Sequence, residues 1–425
     1  MALATDVPKD GFRLSMLVYD TRYRGYTIQF IVLLLFSLAV AWLLNNTIVN
    51  LAAKGRSFEF GFLWSRAGYD IEQTLIPYTN DNNHFRAWMV GFANTLAVAI
   101  PGCILATIVG VFVGVLRLSK NWLIARLMTV YVEIFRNIPL LLWILIIFVP
   151  MRELTYEPKD FRVTPDMEAA GQLPAATMWF NDSLAFTTRG INAPLPLFER
   201  PLGSLTLGPV SVNLTFLAAL VIVAGSIWVN RRIRATARRQ QEDTGLRPTT
   251  WWKSVLILGA PFIAFLLVTG FHLEYPTLTR FNFSGGILLQ HSYTALLIAL
   301  VLYTGAFIAE IVRAGILAIS RGQSEASYAL GLRPGRTMNL VVLPQALRVI
   351  IPPLISQFLN LTKNTSLGIA VSYLDLRGTL GGITLNQTGR ELECMLLMML
   401  NYLLLSLLIS SVANAYNRSI QLKER

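Results

Sequence analysis

The stretch SEASYALGLRPGRTMNLVVLPQALR, from Ser324 to Arg348, is polar and basic, although the segments on both sides of it are strongly apolar. Its apolar residues recur at helical spacing before and after a break that contains Gly331 and Pro334. The pattern predicts a short helix, a glycine turn and a second helix. The sequence therefore places a small helical pair of soluble character between two membrane-spanning segments.

The chain as a whole has the composition of an integral membrane protein. Of its 425 residues, 54% are hydrophobic and only 14% are charged, and the mean hydropathy is +0.53. Soluble domains carry about 25% charged residues, so this chain has too little polar surface to cover a globule. Several apolar stretches also exceed the roughly 18 residues that a membrane span requires. We therefore predict an all-α polytopic membrane protein.

Hydropathy predicts about eight transmembrane helices. They cover residues 27–45, 87–116, 127–150, 213–230, 254–271, 289–312, 349–372 and 394–414. With the N-terminus inside, the inside segments hold 22 Lys and Arg residues in 106 positions, against 12 in 141 positions outside. Because basic residues are enriched in cytoplasmic loops, we expect both termini to be cytoplasmic. The net charge of +12 then reflects topology and does not indicate a nucleic-acid partner.

No motif for nucleotide hydrolysis, catalysis or metal binding stands out. None of the seven lysines follows a glycine, as the lysine of a P-loop would. Cys103 and Cys394 are far apart and the three histidines are scattered, so we expect neither a disulfide framework nor a metal site. If ATP drives transport here, another chain must supply the ATPase.

Polar and charged residues inside apolar runs are the candidate substrate path, because each charge in a span is costly unless it is paired or hydrated. The set is Glu133, Arg136, Glu310, Lys363, Asn364, Thr365 and Ser366. One interpretation is a set of interhelical hydrogen bonds and internal ion pairs, such as Lys363 with Glu133 or Glu310. The other is a polar translocation path. Its basis is the run of four polar residues that begins at Lys363, near the middle of a predicted span.

The opening stretch fits the motif EAA–x3–G–x9–I–x–L–P. The matching residues are Glu325, Ala326, Ser327, Gly331, Val341, Leu343 and Pro344, with Ser327 for the second Ala and Val341 for the Ile. The chain thereby resembles the membrane permeases of bacterial ABC importers, in which this motif forms the cytoplasmic loop that docks on the ATPase. Gly331 is expected to end the first helix at positive φ, as at a C′ position.

The resemblance extends over about half of the chain. GFANTLAVA (Gly91–Ala99), YVEIFRNIPLLL (Tyr131–Leu142) and the segments that flank the motif resemble the polar amino-acid branch of these permeases. The enlarged layout is similar to the larger permease of the general L-amino-acid importers. It implies a five-helix permease core with three additional spans.

This resemblance also divides the chain into parts. Residues 87–150 and 287–425 correspond to the permease core, and the second part includes the coupling loop, residues 320–348. Residues 1–86 add a cytoplasmic segment, one span and an exterior loop. Residues 151–286 are an insertion with an exterior loop and two spans. The exterior loop, residues 151–212, is too long for a minimal connection, and we expect it to contact a binding protein or shield the outer gate.

The function implied by the resemblance is that of the permease subunit of an ATP-driven, binding-protein-dependent amino-acid importer in the bacterial inner membrane. The implied partners are an ATP-binding subunit, a second permease subunit and an extracytoplasmic amino-acid-binding protein. The chain itself would bind no cofactor, whereas the partner ATPase would use ATP and magnesium. The alternative is an ion-coupled secondary amino-acid transporter, which leaves the coupling motif unexplained.

Overall fold

The structure is a computed structural model that describes residues 16–53, 55, 57–163, 167, 169, 171–207, 210–246 and 248–420. The chain divides into two units, Met1–Phe62 and Leu63–Arg425. The prediction of cytoplasmic termini falls on residues 1–15 and 421–425, which lie outside the described residues.

Helices make up most of the described chain. They are α1 (Met16–Tyr19), α2 (Thr21–Ala53), α3 (His84–Leu116), α4 (Trp122–Asn137), α5 (Leu140–Glu153), α6 (Leu214–Thr244), α7 (Trp251–Val268), α8 (His291–Leu317), α9 (Arg321–Ala329), α10 (Pro334–Thr337), α11 (Leu343–Asn364), α12 (Leu376–Gly378), α13 (Leu385–Thr388) and α14 (Glu391–Ile420). Among the described residues, seven helical stretches are long and apolar enough to cross a membrane, and the α4–α5 pair is a bent eighth. This confirms the predicted helical membrane fold.

The third predicted span, residues 127–150, is wrong as a continuous helix. Helices α4 and α5 meet at an angle of 105°. Pro139 has no backbone N–H and disfavours a helical conformation in the preceding residue. Ile138 is accordingly extended, with φ −102° and ψ 132°. The span is therefore broken between Asn137 and Leu140.

Helix α8 lies at the centre of the core and packs most closely against α3. Small residues recur every four positions along α3, at Gly102, Ala106, Gly110 and Gly114. A Cβ atom on Gly110 would lie 2.5 Å from Cβ of Ile308 on α8. Such small-residue stripes let two membrane helices approach closely. The contact holds α3 and α8 together at the centre of the helical bundle.

Short strands occur in the segments that were predicted to be exterior, and the all-α prediction did not include them. They are β1 (Ala185–Thr187), β2 (Gly190–Ala193), β3 (Leu195–Phe198), β4 (Ser204–Leu207), β5 (Val210–Asn213), β6 (Phe271–Glu274), β7 (Thr277–Leu278), β8 (Phe283–Ser284) and β9 (Ile287–Leu289). All the strand pairs are antiparallel: β1 with β2, β2 with β9, β3 with β6, β4 with β5, and β7 with β8. The β2–β9 and β3–β6 pairs join residues 151–212 to the connection between α7 and α8. Both segments therefore lie together at one end of the bundle.

Candidate functional site

The helical pair predicted from the opening stretch is present. Helix α9 ends in a Schellman motif, in which the N–H of Leu332 donates to the carbonyl of Ser327 (3.1 Å). The N–H of Gly331 donates to the carbonyl of Tyr328 at 2.9 Å. Gly331 has φ +77°, which confirms the predicted positive φ, and no heavy atom lies within 4 Å of the position of a Cβ atom there. The turn therefore offers an open surface.

A groove of about 340 Å³ lies between the end of α8, helix α9 and the turn before α11. It is lined by Ile316, Ile319, Arg321, Ser324, Glu325, Tyr328, Met338 and Val342. Glu325 and Ala326 are exposed, whereas Ser327 is buried and its hydroxyl donates to the carbonyl of Gln323. The exposed motif residues thus present the small side chain of Ala326 and the carboxylate of Glu325 at the edge of an apolar groove.

The second helix of the pair begins at Pro334 and contains a π-helical turn, Met338–Val342. The wider turn is suited to Pro344, because a proline ring clashes with the carbonyl four residues earlier in an ordinary α-helix. Val341 is half-buried, while Leu343 and Pro344 are exposed. The motif residues after Gly331 therefore mark the point where the loop becomes helix α11.

Helix α11 is held tightly against α8 just beyond the loop. A Cβ atom on Gly315 of α8 would lie 2.3 Å from Cγ1 of Ile350 and 3.5 Å from the carbonyl oxygen of Ala346. Val342, Ala346 and Ile350 are buried on this side of the helix. From Leu343 to Asn364, α11 has 22 residues, which corresponds to roughly 33 Å at 1.5 Å per residue. One continuous helix, which contains Pro352 and Pro353, therefore connects the loop to the polar segment Lys363–Ser366.

The four polar residues at the end of α11 differ in exposure. Lys363 is exposed, Asn364 and Ser366 are half-buried, and Thr365 is fully buried, where its hydroxyl donates to the carbonyl of Thr362 at 3.0 Å. Two other polar residues, Ser356 and Asn360, are exposed seven and three positions before Lys363. These spacings place Ser356, Asn360 and Lys363 on one face of the helix. A polar stripe thus runs along the uncovered face of an apolar span.

The other residues of the predicted substrate path, Glu133, Arg136 and Glu310, make contacts away from Lys363–Ser366. Glu310 forms ion pairs with Arg117 and with Arg313, the second at 2.6 Å. Glu133 accepts from the amide of Asn137 at 3.4 Å, and the guanidinium of Arg136 lies 5.3 Å from the ring centroid of Phe307. Within the described part of the chain, no ion pair joins Lys363 to Glu133 or Glu310. The suggested pairing with Lys363 is wrong, although Glu310 does form internal ion pairs.

Asp375 is a buried carboxylate that the sequence analysis did not single out. It caps α12 by accepting from the N–H groups of Arg377 and Gly378, both at 3.0 Å, and Tyr402 donates to its second oxygen at 3.3 Å. The hydroxyl of Thr365 lies 3.4 Å from the same oxygen. Burial raises the pKa of Asp375 to about 6, although these hydrogen bonds oppose the shift. An Asp at the start of a short helix is a capping signal that a sequence can show. The contact between Asp375 and Thr365 of the polar segment, however, depends on tertiary packing.

The fold defines a polytopic helical membrane protein whose spans carry an exposed helix–turn–helix loop and a polar stripe. The family described as "Binding-protein-dependent transport system inner membrane component" matches residues 248–422. The chain belongs to this family, and it is a transmembrane permease subunit of an ABC-type amino-acid importer of the inner membrane. The predicted family and function are therefore confirmed, and family membership favours ATP-driven import over the ion-coupled alternative.

Individual relatives support this assignment over the whole chain. The glutamate/glutamine/aspartate/asparagine transport system permease protein BztB of Rhodobacter capsulatus is 67% identical over 428 residues, covering 100% of both chains. The general L-amino acid transport system permease protein AapQ of Rhizobium johnstonii is 40% identical, covering 98% of this chain and 96% of the relative. BztC, a second permease protein of the Bzt system, is 33% identical over 40% of this chain and 37% of its own length.

Proposed function

We propose that the Ser324–Arg348 loop is the docking surface for a separate ATP-binding subunit, and that α11 carries the resulting movement to the polar segment Lys363–Ser366. The observation that supports this is the single helix between them, which is held against α8 at Gly315. A continuous helix that is packed against its neighbour can carry a displacement at one end to the other. ATP and magnesium are proposed to be bound by that partner.

The polar stripe on α11 is proposed to line the translocation path. An exposed lysine in a span is costly in lipid, so a second permease subunit or a water-filled path is expected to cover this face. Asn364 and Lys363 offer donors and an acceptor for the α-carboxylate and α-amino groups of an amino acid. Glu133 and Arg136 are exposed on α4 and belong to the same proposal, whereas the ion-paired Glu310 fits a structural role.

The substrate class is proposed to be glutamate, glutamine, aspartate and asparagine, on the basis of the full-length identity to BztB. BztB and BztC are named as permease proteins of the same transport system, which supports the proposal that the partner of this chain is a second, paralogous permease subunit. An extracytoplasmic binding protein is proposed to deliver the substrate at the end that carries the strands. With that end outside, the α9–α10 loop and both termini are cytoplasmic.

The test is co-purification and uptake with the reconstituted importer. The tagged chain is expressed with its ATP-binding subunit and second permease, and uptake of the four labelled amino acids is measured with the loaded binding protein. Glu325→Ala should lower both the amount of co-purified ATPase and the uptake. The matched control is Glu242→Ala on α6, an exposed acid far from the loop in sequence, which should change neither. Equal effects of the two variants, or no uptake by the wild type, would contradict the proposal.

A further inference from the structure

A polar cavity, distinct from the groove beside α9, lies at the end of the bundle that carries the strands. Its volume is about 360 Å³, which is within the range of small-molecule sites. It is lined by Glu72, Gln73, Thr74, Leu75, Asn94, Ala97, Ile287, Leu288, Leu289, Gln290, Tyr293 and Tyr373. The walls therefore come from the loop before α3, from α3 itself, from β9 and the start of α8, and from the segment after α11. None of the residues Lys363–Ser366 lines this cavity, although Tyr373 lies seven positions after Ser366.

The amide side chains of this cavity hold one another in place. The side-chain nitrogen of Gln73 donates to the side-chain oxygen of Gln290 and, at 2.5 Å, to the hydroxyl of Ser292. The side-chain nitrogen of Asn94 donates to the carbonyls of Gln73 and Leu374, both at 2.8 Å. The loop before α3 is thus tied to both central helices and to the segment after α11. The cavity walls are fixed before any ligand enters.

Three amide atoms keep unused hydrogen-bonding capacity. Throughout the described ranges, no hydrogen bond uses the side-chain oxygen of Gln73, the side-chain oxygen of Asn94 or the side-chain nitrogen of Gln290. Two carbonyl acceptors suit the ammonium group of an amino acid, and one N–H₂ donor suits its carboxylate. Glu72, an exposed carboxylate at the rim, favours the ammonium group as well.

The aromatic and aliphatic lining supplies the rest of the site. The hydroxyls of Tyr373 and Tyr293 donate to the carbonyls of Asn94 (2.9 Å) and Ala97 (3.3 Å), so their rings line the cavity with apolar surface. The two ring centroids are 6.0 Å apart. This combination of a fixed amide set and apolar rings suits a small zwitterion with a short methylene side chain.

We propose that this cavity is an outer binding site for a zwitterionic amino acid, occupied before the substrate reaches Lys363–Ser366. The inference rests on the proposed function in amino-acid import. It adds a second site and gives Gln73, Asn94 and Gln290 the role of recognising the α-amino and α-carboxylate groups.

The experiment is protection of an introduced cysteine in the full importer, reconstituted in liposomes without the binding protein and without ATP. Leu75→Cys lies in the cavity lining and is exposed, and it is labelled with a membrane-impermeant maleimide. L-Glutamine should slow the labelling severalfold, whereas N-acetyl-L-glutamine, which lacks the ammonium group, should not. Thr79→Cys, an exposed position of the same loop outside the cavity, should be labelled at one rate throughout. The wild type, with half-buried Cys103 and buried Cys394, gives the background.

Adding Gln290→Glu to Leu75→Cys separates direct binding from a distant effect. The introduced carboxylate still accepts from Gln73 but repels the ligand carboxylate, so protection by L-glutamine should be lost. Protection that persists in this double variant, that is absent from Leu75→Cys, or that appears equally at Thr79→Cys would overturn the outer site. Uptake by the wild-type importer is measured in parallel. An importer that transports glutamine without protection refutes only the outer site, whereas absent uptake refutes the proposed function.

Discussion

The side chain of Thr379 occupies the space that a β-carbon on Gly91 would need. A Cβ atom on Gly91 would lie 2.0 Å from Oγ1 of Thr379 and 2.8 Å from the carbonyl oxygen of Asp375. The Thr379 hydroxyl itself donates to that carbonyl at 2.9 Å. The backbone of α3 at Gly91 therefore lies directly against the Thr379 side chain and the Asp375 carbonyl.

Gly91→Ala should destabilise the permease, because neither Thr379 nor the Asp375 backbone can move without disturbing α12. Overpacking of this kind costs about 1–3 kcal/mol. The matched control is Gly225→Ala on α6, where no heavy atom lies within 4 Å of the added carbon, and which should be neutral or stabilising by up to about 1 kcal/mol. Thermal unfolding of the two purified variants checks the prediction. Equal melting temperatures would refute the close contact.

Most of the fold was predictable because membrane spans are long apolar runs that need no partner to be recognised. The break of the third span at Ile138 was also visible in principle, since Pro139 follows it directly. The coupling loop was predictable in detail, including the conformation of Gly331, because a Schellman turn is local in sequence.

The polar contacts of the core were not predictable from one sequence. Arg117 and Glu310 are 193 positions apart, and no spacing rule pairs them. Asn94 lies 280 positions from Leu374, so the outer cavity depends entirely on tertiary packing. The pairing of β2 with β9 was missed for the same reason.

Gly331→Val should abolish most uptake while leaving normal amounts of inserted permease. Its φ of +77° disfavours any side chain, at about 1–2 kcal/mol, and a branched residue would cover the open docking surface. Gly331→Ala has the same unfavourable positive φ but adds only a methyl group, so it should retain more activity than Gly331→Val. Uptake and co-purified ATPase are the measurements.

The control for these two variants is Gly322→Val on α9. Gly322 also has no heavy atom near the position of a Cβ atom, but its φ is not positive, so substitution there should have a smaller effect. Full activity in both Gly331 variants would refute the coupling-loop assignment.

Asn364→Ala should weaken transport of all four amino acids to a similar degree, because a site that binds the α-amino and α-carboxylate groups treats their side chains alike. Loss of one hydrogen bond of about 0.5–1.5 kcal/mol corresponds to roughly a two- to twelvefold effect. Thr365→Ala removes a buried hydroxyl instead and should lower thermal stability as well as transport. Loss of a single substrate after Asn364→Ala would argue against recognition of the backbone groups.

Asp375 should make the stability of the permease depend on pH. Its pKa is raised by burial, to about 6, above the ordinary value of 3.8. Between these values the folded state binds more protons than the unfolded state, so stability falls as pH rises through this window, by at most about 1.4 kcal/mol per unit. Asp375→Asn keeps an oxygen for the Arg377 and Gly378 N–H groups and should remove this slope. Melting temperatures of both proteins from pH 4.5 to pH 7 decide the matter, and parallel curves would contradict the prediction.

The segment predicted to be an exterior loop, residues 151–212, contains a strained aromatic turn. Phe180, Asn181 and Asp182 have φ values of 54°, 57° and 59°, in the left-handed region, which costs a residue such as Phe roughly 1–2 kcal/mol and Asn or Asp less. The turn is closed by hydrogen bonds from the N–H groups of Ser183 and Leu184 to the carbonyl of Trp179, both at 3.1 Å. The Phe180 side chain is 75% exposed. A strained turn with an exposed aromatic residue is a candidate contact for the binding protein.

Phe180→Gly should stabilise the permease and at the same time weaken its response to the loaded binding protein. The glycine relieves the left-handed conformation, whereas the aromatic contact is lost. Asn181→Gly relieves the neighbouring residue and keeps Phe180, so it should stabilise the protein without reducing the response. The measurements are the melting temperature and the stimulation of ATPase activity by loaded binding protein in the full importer. Wild-type stimulation of Phe180→Gly would exclude this turn from the docking surface. A loss in both variants would assign the effect to the shape of the turn, because the aromatic ring is retained in only one of them.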